Sequence, residues 1–234
     1  SWAVLIGINE YLRWPKLQYA VKDARAVEEL VRGLGFDEVV TVLDSEATQR
    51  RILNALGDEL YAKTQDEDRV FIFFAGHGQT QDLPSGGKTG FIIPVDGDLD
   101  EYYSTAISMQ QLRDLAERTR AKHILYVMDA CFSGLLLGMR GQALGGSPLQ
   151  WTTMPAHQVL TAGGEGEKVV ESGGHGLFTK SLLRGLSGAA DLNGDGYITA
   201  SELSQYVTPE VLGESRNSQN PVFGRLGSGQ GEFV

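Results

Sequence analysis

Cysteine is nearly absent from this 234-residue chain: Cys131 is the only one, which excludes an internal disulfide and fits a reducing compartment. Positive charge is also in short supply. Lysines and arginines number 20 against 30 aspartates and glutamates, a net charge of −10, so a nucleic-acid partner is not expected and a cationic substrate is. No apolar run approaches the ~18 residues of a membrane span, no signal peptide is visible and no low-complexity tail is present. These absences point to a cytoplasmic protein without membrane association. Ser1 leads straight into the apolar run Trp2 to Ile8, so the chain reads as cut from a longer one.

Hydrophobic residues make up 41% of the sequence, enough for one large α/β domain over 1–234. Trp2 to Ile8 (WAVLIGI), Val39 to Leu43, Arg69 to Ala75 (RVFIFFA), Gly90 to Val95, Ile124 to Met128 and Gln158 to Ala162 read as strands. Gln18 to Leu34, Thr48 to Tyr61, Ser108 to Thr119 and Leu177 to Leu186 have helical spacing. Gln79 to Thr89, polar and glycine-rich, reads as a loop bordering a cleft, and Gly138 to Pro155 as an exposed loop. An edge strand is expected within Asn220 to Val234. Strands alternating with helices in this way imply βαβ units, a mainly parallel sheet and helices on both faces.

Two of the buried strands end in chemistry. Ile124 to Met128 runs into Asp129-Ala130-Cys131, and Arg69 to Ala75 into Gly76-His77-Gly78. Open α/β sheets build their sites at the carboxyl ends of strands. A neutral thiol needs a base within reach before it attacks a carbonyl, and His77 is the candidate base for Cys131. The amides of Gly78 and Cys131 are candidate donors to the oxyanion that such an attack creates. A solitary cysteine or histidine is more often a buried hydrophobe or a loop residue. Both standing at buried strand ends in glycine-flanked turns favours catalysis.

Phe74-Ala75-Gly76-His77-Gly78 and Asp129-Ala130-Cys131-Phe132-Ser133-Gly134, in that order, resemble the caspase-like cysteine peptidases of family C14, especially the bacterial orthocaspase and metacaspase branch. The resemblance covers nearly the whole chain. Trp2 to Asn9 is similar to the family's first strand, Leu17 to Ala24 to its early Asp-bearing segment, and Gly176 to Thr179 to its late helix start. It implies a three-layer αβα sandwich around a mainly parallel six-stranded sheet, and peptide-bond hydrolysis by a Cys131–His77 dyad without a catalytic cofactor. The partners expected are protein or peptide substrates, with a monomer favoured over a dimer.

Asp129 stands two places before the thiol, on the same side of a regular strand. A fixed anion there would hinder ionisation of the cysteine unless something cationic occupied the site. That suggests Arg or Lys before the scissile bond, as resemblance to metacaspases also implies, with Asp23 as a second acidic wall. The plainer alternatives are a helix cap for Asp129 and a solvated helix residue for Asp23. Caspase-like enzymes are often cleaved in the loop after the cysteine. Arg140 is the only lysine or arginine from Cys131 to Glu167, so self-cleavage is expected after it.

A second motif runs from Asp191 to Glu202 (DLNGDGYITASE) and reproduces the EF-hand calcium loop within a helix-loop-helix over 178–207. Asp191, Asn193, Asp195 and Glu202 would coordinate Ca2+ by side chain, Tyr197 by its carbonyl and Thr199 through water. Calcium modulation of the peptidase is the matching expectation. A catalytically silent, calcium-responsive binding module is the alternative function. His123 and His157 start strands and read as structural, and His175 ranks below His77 as the base.

Overall fold

The computed structural model describes residues 1–131, 152–164, 171–172, 174–227 and 229–234, with the backbone alone of Cys131, Glu171 and Ser172. Its centre is made by runs of aliphatic and aromatic residues that are stable only when covered on both faces. Three of these are β1 (Trp2–Gly7), β3 (Arg69–Ala75) and β7 (His123–Cys131). With β2 (Glu38–Leu43), β8 (Ala156–Gly163) and β11 (Val222–Arg225) they form a six-stranded sheet in the order β11-β8-β7-β3-β1-β2. Every pair is parallel except β11 on β8, the edge strand expected in the C-terminal stretch.

Period-two alternation sorts the side chains into two cores. Val70, Ile72, Phe74, Tyr126 and Met128 pack with Ile52 and Leu56 of α2 (49–63) and Leu112 of α3 (Met109–Arg118). Phe71, Phe73, Leu125 and Val127 face the other way. They meet Val27 and Val31 of α1 (Ala20–Gly33), Phe178 and Leu182 of α4 (Leu177–Arg184), and Leu203 and Val207 of α5 (Ala200–Glu214). Each fully buried aromatic or leucine contributes roughly 1.5–3 kcal/mol of transfer free energy, and this places helices on both sides of the sheet. The result is the αβα sandwich implied by the resemblance.

Gly7, the last residue of β1, allows one of the closest contacts in the fold. A Cβ there would lie 2.6 Å from the carbonyl oxygen of Ala20 and 2.8 Å from Cβ of Ala24. The first turn of α1 therefore rests directly on the end of the strand and carries Asp23 over the carboxyl ends of the sheet.

Two expectations need correction. Gln79 to Thr89 is not all loop: β4 (Gly78–Asp82) pairs with β5 (Lys88–Ile92), and β6 (Ile107–Ser108) completes an antiparallel side sheet. β4 is polar because it is only half-buried, so ladder hydrogen bonds rather than an apolar pattern hold it. The second helix of the expected helix-loop-helix over 178–207 does not stop at Val207 but continues to Glu214, through Pro209, because Val211 also reaches the core. Among the described residues no helix is long and apolar enough to cross a membrane.

Candidate active site

The parallel register carries the two motif strands to matching heights. Ala75 of β3 lies opposite Asp129 of β7, and His77 and Cys131 each stand two residues farther on. Two backbone bonds tie the strand ends: Ile8 N donates to Ala75 O (3.1 Å) and Gly76 N to Asp129 O (3.3 Å). Against β8 the end of β7 is irregular, since three steps from Met128 to Cys131 match two from Thr161 to Gly163. Such bulges commonly re-aim residues beside active sites. The side chain of Cys131, and Arg140 altogether, lie outside the described residues.

His77 is half-buried against two aromatic rings, with centroids 4.8 Å from Tyr11 and 5.4 Å from Trp14. Its Nε2–H donates to the carbonyl of Pro15 at 2.7 Å. A carbonyl can only accept, so this bond leaves the Nδ1 lone pair as the basic position. The His77 amide donates to Tyr11 Oη (2.8 Å), which donates in turn to Ile93 O (3.1 Å). Burial lowers the imidazole's pKa, partly offset by the bond to Pro15, so the ring is a neutral base at pH 7. Gly78 follows at once as the first residue of β4, opposite Ile92.

Asp129 faces the α1–α4 layer and is 5% exposed. Thr179 Oγ1, from the first turn of α4, donates to its Oδ2 at 2.5 Å, while Oδ1 is buried with no partner among the described residues. The segment after Cys131, which it would cap as a helix start, lies outside the described residues. Burial first, and the nearby Asp23 anion second, raise the pKa of Asp129 to about 7, with the Thr179 bond working against them. The anion expected beside the thiol is thus held only weakly in its charged form when no cation is present. Asp23 is not a solvated helix residue: it is 2% exposed, and burial raises its pKa against the pull of Gly176, His175 and Lys22. Gly176 N donates to its Oδ2 (3.0 Å), and His175 Nδ1 to its Oδ1 (2.5 Å).

Gly176 separates the two carboxylates. A Cβ on it would lie 2.7 Å from Asp129 Oδ2 and 3.2 Å from Asp23 Oδ2, so any side chain would fill the space they share. Sequence reasoning found both acids and weighed His175 only as a lesser base, and it missed Tyr11, Pro15, Thr179 and the pairing of His175 with Asp23. Their one signal was the Gly176 to Thr179 segment, which gave a helix start and no side-chain role.

The Asp191–Glu202 loop joins α4, extended by a wider turn over Gly185–Ala189, to α5. Asp191 accepts the amides of Gly194, Asp195 and Gly196 (2.8–3.1 Å), Asn193 that of Asp195 (2.8 Å) and Asp195 that of Tyr197 (2.9 Å). Glu202 turns back on Thr199, taking its amide (3.0 Å) and hydroxyl (2.8 Å) in a capping box that starts α5. Among the described residues no three acidic, histidine or cysteine side chains converge into a metal-holding group. The donors fit calcium in type and order. His123 is buried with its Nε2–H on Met154 O (3.0 Å), and burial lowers the pKa of His157, in keeping with structural roles for both.

A parallel sheet between helix layers, with a histidine and a cysteine just past neighbouring strand ends, is the arrangement of the caspase-like peptidases. A profile of the caspase domain matches residues 1–226, and the chain belongs to that protease family. It is 29% identical over 218 residues to a probable protease of a Desulfuromonadales bacterium, a match covering 82% of this chain and 26% of that protein. Metacaspase-1 of Mycosarcoma maydis is 28% identical over 152 residues, covering 58% of this chain and 36% of the relative. The chain therefore spans about a quarter and about a third of the lengths of these two relatives. A crystal structure of a Geobacter sulfurreducens protein shares the fold with a TM-score of 0.64 at 16% identity, over 94% of this chain and 91% of the other.

Proposed function

We propose that this chain is a cysteine endopeptidase that cuts after arginine or lysine. The observation that carries this reading is a buried carboxylate, Asp129, with one oxygen unpartnered among the described residues, two residues before the thiol and beside a second buried acid. Buried carboxylates without a partner are costly, and a cationic side chain entering the pocket relieves that cost. In the reaction His77 Nδ1 takes the proton of Cys131, and the sulfur attacks the scissile carbonyl carbon. The Gly78 and Cys131 amides hold the oxyanion, and His77 protonates the departing amine. Water, deprotonated by the same imidazole, then hydrolyses the thioester. Because Asp129 must ionise to receive the cation, the acid limb of kcat/KM should fall near pH 7 rather than at the lowered pKa of His77. A fluorogenic panel with Arg, Lys, Asp or Leu before the scissile bond tests the assignment. Cleavage after Asp or Leu alone, or none at all, refutes it.

The loop from Asp191 to Glu202 is read as a Ca2+ site that modulates this activity. Support comes from its donor order and from its place between α4 and α5, since α4 also carries Thr179, which holds Asp129. Calcium titration by calorimetry on the wild type and on Glu202→Gln decides binding, and peptidase rates with and without chelator decide modulation. Equal heats for the two proteins, or equal rates, would end the respective claim. Self-cleavage after Arg140 is tested by the intact mass of wild type against Cys131→Ala, an uncut wild type under active conditions refuting it.

A further inference from the structure

The two walls of the candidate site differ in chemistry. Beside β7 stand the buried acids Asp23 and Asp129, with Gly176 of β10 (His175–Gly176) between them and β9 (Glu171–Ser172) paired to that strand. Beside β3 the wall is the loop over residues 10–16, which holds His77 through Tyr11, Trp14 and Pro15. Charge is cancelled along this loop: Arg13 pairs with Asp98, and Lys16 with Glu10. What remains is apolar surface. Leu12 is 73% exposed, its amide bonded to Val95 O at 3.1 Å, and Pro15 is exposed as well. Of the two rings on His77, Tyr11 is buried, with its hydroxyl committed to the His77 amide and to Ile93 O. Trp14 packs on the core that contains Phe74 and is only partly buried. Its one polar side-chain atom, Nε1, is buried without a partner among the described residues, so the indole surface left open is carbon.

We propose that Trp14, with Leu12 two residues before it, forms the subsite for the residue that follows the scissile bond, and that this subsite selects a large apolar side chain. The inference rests on the reading of the chain as a peptidase whose base and acid is His77. Because Nε2–H is held by Pro15, Nδ1 is the atom that hands a proton to the departing amine. That transfer brings the two nitrogens to about 3 Å. The side chain of the residue bearing the amine starts two bonds from that nitrogen, so it must pass beside the imidazole, and the Trp14 ring centre lies 5.4 Å from that ring. Leucine or phenylalanine laid on the indole removes apolar surface of both from water. A charged residue there gains no partner, since the cations of the loop are already paired with acids.

The test uses internally quenched peptides with Arg before the scissile bond and Leu, Phe, Gly or Asp after it, beside an Arg amide whose leaving group is a coumarin dye. In the wild type kcat/KM for the Leu and Phe peptides should exceed that for the Gly peptide by about 10-fold, with the Asp peptide lowest. Trp14→Ala should reduce the Leu-to-Gly ratio to about two-fold or less, and Trp14→Phe should keep most of it. Leu12→Ser, a change at an exposed side chain, should lower the ratio about three-fold, and it carries the test if Trp14→Ala does not fold. A Trp14 that only props His77 would slow every peptide by one factor and leave the ratio as it was. That result, or a wild type indifferent to Leu, Phe and Gly, overturns the proposal. Cleavage of the Arg dye amide with a flat ratio removes the subsite and leaves the peptidase assignment standing, whereas cleavage of no substrate removes both.

Discussion

His77 lies just past the end of β3 and Asp129 near the end of the adjacent β7, and loss of solvent acts on them in opposite directions. For His77, wedged against Tyr11 and Trp14, burial lowers the pKa and preserves a neutral base. For Asp129, burial raises the pKa to about 7 and favours the protonated acid. On the proposed reading, His77 is suited to accept a proton and Asp129 to receive a cation that arrives with the substrate. Helices α1 and α4 cover Asp129, while Tyr11, Trp14 and Pro15 of the loop after β1 shelter His77, and the different outcome follows from the residue type placed there.

If this contrast is right, the two residues govern different kinetic constants. His77→Ala should reduce kcat by about 10²–10⁴-fold with little change in KM for an Arg substrate. Asp129→Asn should act mainly on KM, by about 30-fold or more, as expected when a buried charge pair loses one member. The same substitution should stabilise the folded protein in alkaline solution. A carboxyl whose folded pKa lies near 7 against ~3.9 unfolded costs stability progressively as pH rises through that interval. The amide should thus gain on the order of 4 kcal/mol at pH 8 and nothing at pH 3 in urea unfolding. Equal KM changes for the two variants would erase the distinction.

Smaller effects sharpen it. Thr179→Val removes the hydroxyl that favours ionised Asp129, so the acid limb for Arg substrates should move up by roughly half a pH unit to one unit, with kcat at high pH preserved. Tyr11→Phe removes the hydroxyl between the His77 amide and Ile93, and should cost about 1–3 kcal/mol in stability and a few-fold in kcat. A Tyr11 variant that shifted KM instead would show that the two walls are not independent.

The chemistry-bearing strand ends were legible because RVFIFFA and the run through Ile124 to Met128 can be stable only inside a doubly covered sheet. The helices on either side followed from their periodicity. β4 was not legible, since GQTQD carries no apolar pattern and owes its strand to pairing with β5. The pairing of His175 with Asp23 could not be read either. It joins residues 152 positions apart and depends on how α1 lies across the sheet. Asp129 was recognised as acidic, but its charge state could not be inferred from its letter. That state is set by a buried Asp23, a Thr179 hydroxyl and a lack of water, all products of tertiary packing.

The contact at Gly7 makes one position with no functional group a control point for recognition. A single methyl group there would have to push the start of α1 outward, because it would meet the Ala20 backbone at 2.6 Å. Asp23 rides on that turn and would be carried away from its partners. On the proposed function, a substitution as mild as Gly7→Ala would then surface in a selection experiment as a change of diet, with preference for basic residues lost while Cys131 and His77 stayed untouched.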